Sequence, residues 1–119
     1  TWIPWDNNEA LQNGKMGGSL KLDFSDVSAL QWPLIGYLYQ DQVYKEKYDT
    51  YVQEVIDGPF NSSKMQVLYS SYSALVASYA NSEIAGYTFL RSSTDFQTGI
   101  NQVNTHVTER ASAVSNYLN

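Results

Sequence analysis

The chain has 119 residues, 43% of them hydrophobic, and twelve acids against seven bases give it a net charge of −5. That size suits one globular domain. The acidic balance excludes a phosphate-tracking surface, so neither nucleic acid nor an anionic membrane fits as a partner. The lack of cysteine excludes disulfides and thiolate metal sites, and no run approaches the ~18 apolar residues of a membrane span.

The first element is Trp2-Ile3-Pro4-Trp5-Asp6-Asn7-Asn8-Glu9-Ala10. Its apolar start reads as a short buried strand that ends in an acid and two amides. Asp6 and Asn8 are two apart, so in extended chain they project to one side. Two oxygen donors at a strand end suit Mg²⁺, which takes one or two protein ligands and keeps waters and substrate phosphates for the rest. Asp-Asn-Asn is also strong turn chemistry, so the residue types leave a metal edge and a plain turn both open. The chain starts without an initiator Met or a secretory leader, inside what reads as a strand, and a lone strand needs partners. This predicts a piece of a longer protein whose sheet is completed upstream.

Gln12 to Ser19 is glycine-rich and polar and predicts a loop. It has neither a Gly-Lys-Ser/Thr ending nor G-x-G-x-x-G spacing, so phosphate cradling is not indicated. Leu20-Lys21-Leu22-Asp23-Phe24 alternates apolar and polar and predicts a brief extension, after which Ser25 and Asp26 read as N-caps for Val27 to Leu30. From Trp32 the period becomes helical, with Pro33 suited to a first turn. Asp41 can cap a second helix with Tyr44, Tyr48, Tyr51, Val52, Val55 and Ile56 on its inward face, and Gly58-Pro59 should stop it. Asn61, Ser62 or Ser63 caps a third, with Met65, Leu68, Tyr69, Tyr72, Leu75, Val76 and Tyr79 inward, broken at Asn81-Ser82. Glu83 to Leu90 is ambiguous. Ser93 or Thr94 caps the last helix, with Phe96, Ile100, Val103, Val107, Val114 and Leu118 facing in. Ten tyrosines and three tryptophans at these spacings read as core, with hydroxyls reaching the rim, before a carbohydrate platform.

His106, the single histidine, lies one turn from Arg110 with Glu109 beside it. With no second His, no Cys and no nucleophile close in sequence, a hydrogen-bonded structural histidine is expected before a ligand or general base. Arg110 is expected to fix helix packing through a carboxylate.

Trp5-Asp6-x-Asn8-x-Ala10 after an Ile-Pro strand, then Trp32-Pro33-Leu34-Ile35, the Tyr44…Tyr48…Tyr51 helix and His106…Glu109-Arg110…Leu118 together resemble the C-terminal part of the spore-coat CotH kinase-like family. The resemblance runs over essentially the whole chain, and Trp-Asp-x-Asn is its specific part. It implies a mainly α fold, the C-terminal helical subdomain of an atypical protein-kinase-like fold, with a short N-terminal strand and loop. Residues 1–25 would carry the metal-site motif and 26–119 a helical bundle, the whole being one C-terminal piece of a CotH-like domain.

By that resemblance Asp6 takes the part of the magnesium-binding Asp of the kinase Asp-Phe-Gly motif, with Asn8 the weaker second ligand. The family often follows this Asp with an aromatic-Gly pair, whereas Ala10-Leu11 stand here. The resemblance also implies an upstream nucleotide-binding lobe and a catalytic loop that these 119 residues do not contain. ATP and Mg²⁺ are then cofactors of the full-length parent, its substrate is a coat or extracellular protein, and its place is the spore coat or the cell surface. No catalytic residue is assigned within these residues, which alone would be inactive and structural. The competing expectation is a non-enzymatic module that assembles coat or surface proteins.

Overall fold

A computed structural model describes residues 21–25, 27–84 and 86–119, the side chain of Ser93 excepted. Four helices follow in order, α1 (Pro33–Gln40), α2 (Gln42–Asp57), α3 (Ser62–Ala80) and α4 (Ser93–Leu118), with no strand among the described residues. The mainly helical class expected from the sequence is therefore found. The proposed N-terminal strand lies outside the described residues.

The helix boundaries follow from a few side chains. Pro33 sits at the start of α1, where its missing N–H leaves no helical bond unmade. Asp41 ends α1 and caps α2, its Oδ1 accepting from the Val43 amide at 2.9 Å and the Tyr44 amide at 3.4 Å. At the far end of α2 a Cβ on Gly58 would lie 2.8 Å from the Glu54 carbonyl oxygen, so only glycine lets the chain leave there. Asn61 caps α3 by accepting from the Lys64 amide at 3.3 Å. The cap of α4 is Ser92, one residue earlier than expected. Asp95 explains the shift, because its Oδ2 accepts from the Arg91 amide at 2.8 Å and so satisfies a donor ahead of the helix.

Two local expectations are corrected. Residues 21–25 make turns, with the Ser25 amide donating to Asp23 Oδ1 at 3.0 Å, and residues 27–30 do not form a helix. Instead Val27 donates to the Phe24 carbonyl at 2.9 Å and Trp32 to that of Ser28 at 2.8 Å. These tight turns consume the backbone groups that a strand or helix would need. Phe24 has φ +50°, a strained value for a bulky side chain. Its ring is held by Tyr39 and Tyr48, each 5.3 Å away between centroids.

The last helix is the centre of the packing. Both α2 and α3 pack on α4, and α1 packs on α2. Val107, fully buried, and Val114 lie on α4, as the sequence periodicity predicts, and His106 beside them is 9% exposed. The described residues extend over 53 × 30 × 29 Å, and so long a shape leaves few positions far from water.

The inward faces of α2 and α3 differ from those expected. On α2 the half-buried positions are Lys45, Tyr48, Asp49, Val52 and Ile56, whereas Tyr44, Tyr51 and Val55 are exposed. On α3 the half-buried row is Met65, Tyr69, Ser73, Ala77 and Ala80, while Leu68, Tyr72, Leu75, Val76 and Tyr79 are exposed. The physical reason is size. Ser73 and Ala77 on an i±4 ridge let α4 approach closely, whereas Leu75 or Tyr79 there would hold it away. Tyr72, 60% exposed, is therefore a surface residue, and Tyr72→Ala should change stability by less than about 0.5 kcal/mol. A denaturant melt giving about 3 kcal/mol would return it to the core.

Candidate functional site

Two groups of chemically capable side chains emerge from this packing. The first is a cleft of about 420 Å³ between α2 and α4, lined among the described residues by Val52, Val55, Ile56, Phe60, His106 and Arg110, with Leu22, Tyr48, Tyr51 and Val114 completing it. Its walls are apolar because the inward row of α2 meets α4 where Phe60 turns back after Gly58. The Phe60 ring stands edge-on to the His106 ring, 6.3 Å between centroids and 90° between planes.

His106 is the buried polar residue of this cleft, and its Nδ1 is sealed from water without a hydrogen-bond partner among the described residues. The expectation of a hydrogen-bonded structural histidine is thus not met at Nδ1 among the described residues. The ring contact recorded for His106 is the edge of Phe60, which offers Nδ1 neither a donor nor an acceptor. Arg110 is half-buried one turn on and forms no salt bridge with any described residue, so the carboxylate partner expected for it is absent among them.

Burial holds the His106 pKa below the usual histidine value, the Arg110 guanidinium pushes the same way, and Glu109 opposes them. The ring is therefore neutral in the fold. The sign follows from linkage: the unfolded state takes up a proton at a higher pH than the folded one, so stability is complete above the ordinary value of 6.5 and is lost as pH falls from there through the depressed folded value. Stability from urea melts should fall below pH 6.5, and His106→Gln should flatten that part of the profile. A profile still falling in the variant would assign the loss to other groups.

The second group joins the ends of α2 and α4. The Tyr117 hydroxyl donates to Asp49 Oδ1 at 2.5 Å, and Lys45 Nζ donates to Asp49 Oδ2 at 2.7 Å. The Lys45 ammonium also lies 5.8 Å from the Tyr39 ring centroid and 5.5 Å from that of Tyr117, within cation–π range. The hydrogen bonds from Lys45 and Tyr117 hold the Asp49 carboxyl below its ordinary value, and the Asp49 bond raises Lys45. Burial, then the bond to Asp49, pushes the Tyr117 hydroxyl far up. Lys45 and Tyr117 are both engaged with Asp49, the first within α2 and the second from α4. This cluster is a clasp between helices.

Among the described residues no group of three or more His, Cys, Asp and Glu is placed to hold a metal ion. None of their helices is long and apolar enough to cross a membrane. The residues proposed for Mg²⁺, Asp6 and Asn8, lie outside the described residues. The cleft itself was only half legible beforehand. His106 and Arg110 are visible as a pair in sequence, but Val52, Ile56 and Phe60 reach them from 46 to 58 residues away, with no local signal.

A family model described as CotH kinase protein matches residues 1–114 of this 119-residue chain. The chain therefore belongs to the CotH kinase family, which makes it kinase-like by family, as its Trp-Asp-x-Asn element and helices had implied. No curated protein and no solved structure matches it.

Proposed function

We propose that these residues are the C-terminal part of a CotH-like atypical protein kinase, whose full-length parent uses ATP and Mg²⁺ to phosphorylate coat or extracellular proteins. The observation that carries this reading is the family match, which spans the Asp6 element and nearly all of the helical region that follows. In it, Asp6 holds the metal on the β- and γ-phosphates, Asn8 assists as a neutral ligand, and residues 1–25 carry that edge on the bundle of residues 26–119. The metal supplies charge neutralisation on the transferred phosphoryl group. The helices buttress the edge and offer a face to the protein substrate. The lysine on the phosphates and the catalytic acid come from an upstream lobe, so the 119 residues alone transfer nothing.

The exposed row Leu68, Tyr72, Leu75, Val76 and Tyr79 on α3 favours a second reading, a non-enzymatic assembly module, because contiguous apolar surface commonly marks an interface. Incubating the full-length protein with γ-labelled ATP and Mg²⁺ separates the two. Magnesium-dependent label in protein supports the kinase, and none, from a folded protein presented with coat extracts, supports the assembly module.

A further inference from the structure

We propose that the cleft between α2 and α4 is a binding site for a small organic acid, with a branched or aromatic hydrocarbon body against Val52, Val55, Ile56 and Phe60 and one carboxylate between Arg110 and His106. The site uses none of the residues of the kinase reading, Asp6 and Asn8.

Three observations converge on it. The first is size and lining: about 420 Å³ with walls of aliphatic and aromatic side chains lies in the range of small-molecule sites, which pair apolar walls with a few polar groups. The second is His106, more than nine-tenths buried in the wall with an unpartnered Nδ1. An orphan N–H is rarer and costlier than an orphan acceptor, so the ring proton belongs on Nε2, where it can be donated to a bound oxygen.

The third is Arg110. It is half-buried and makes no ion pair with a described residue, although its charge is felt by both the His106 ring and the Tyr48 hydroxyl. A guanidinium held against apolar surface without a carboxylate is a poor arrangement on its own and a good receptor for one, because its donors match carboxylate geometry.

The same features set the ligand class. One cation and one neutral donor match a single negative charge, whereas a polyphosphate would need more cations. The apolar walls offer no partners to a sugar. A cationic ligand would meet Arg110, with Glu109 beside it on α4 as the one acid among the described residues that His106 feels.

The test is calorimetry on the full-length protein with phenylbutyrate as the probe and phenylbutanol as its neutral counterpart. The acid should bind saturably at micromolar to millimolar concentration and the alcohol about tenfold more weakly or less well still. Arg110→Gln should weaken the acid by about ten- to hundredfold, Arg110→Lys should recover part of it, and neither should alter the alcohol. Val55→Trp, at an exposed rim position, should block both ligands while leaving the helical circular dichroism unchanged. The acid should also shift the NMR signals of the His106 ring. Equal binding of acid and alcohol, no saturation by the acid at millimolar concentration, or an Arg110→Gln protein of unchanged affinity and intact fold would each overturn the proposal.

Discussion

Asp6→Asn in the full-length protein is expected to lower phosphate transfer by orders of magnitude while leaving the melting temperature where it is. Phosphoryl transfer demands little covalent work from a protein; it demands that a metal neutralise the β- and γ-phosphates in register with the acceptor. A hard cation held by so few side chains depends on their formal charge. Asn keeps the size and one oxygen of Asp but removes that charge, so the metal would be weakly held or displaced. Asn8→Ala should do less, because water can replace a neutral amide ligand. If Asp6 instead serves a turn, Asn is an easy replacement, and activity as well as stability would survive. Labelled-phosphate incorporation and a thermal melt on the same preparation decide the matter, and full activity at unchanged stability would remove Asp6 from the site.

The second large effect is expected at Val107, which is fully buried. It lies on α4, the helix on which both α2 and α3 rest. Val107→Asp would place a carboxylate where water cannot reach it. Arg110 follows at i+3, a spacing at which helix side chains can meet, but an ion pair buried there does not return the desolvation cost of its carboxylate. Burying a charge belongs to the short list of changes that exceed about 4 kcal/mol, a large part of the total stability of a domain. Urea melts should show loss of the cooperative transition or a midpoint shift of that size. A loss below about 1 kcal/mol would mean that the packing around α4 does not carry the fold.

Val107 and Tyr72 were alike in the sequence, both apolar and both in register on an amphipathic helix, yet one is fully buried and the other 60% exposed. The difference lies in what the helices carry around them. Helix α4 has polar residues on its outer side, so its period names one face, and Val107 and Val114 fall on it. Helix α3 carries most of its Leu and Tyr residues on one stripe among serines and alanines, so its period names a face, but that face is the one left outside. That choice is made by Ser73 and Ala77, whose value is their smallness, and smallness leaves no hydrophobic signal.

The ends of elements were far more legible. Asp41, Gly58-Pro59 and Asn61 act through bonds to their immediate neighbours, and local chemistry is what a single sequence records. The Asp49–Tyr117 clasp and the cleft around His106 are the opposite case. Their members are separated by 68 residues in the first instance, and nothing in either stretch announces the other. Asp6 and Asn8, by contrast, are proposed from a local motif and the family resemblance, and lie outside the described residues.

The position of α4 after α2 and α3 sets an order for synthesis. A ribosome releases α1, α2 and α3 before the helix that α2 and α3 both rest on exists, because α4 begins only at Ser93. Until then Val52, Ile56, Met65 and Tyr69 have nothing to bury against, and the apolar outer row of α3 is exposed beside them. Between the release of α3 and that of α4 these helices stand as unpaired amphipathic helices, a state prone to association. Closure has to await α4, so a ribosome stalled ahead of Val107 holds a chain that a protease or a chaperone can still tell apart from the closed one.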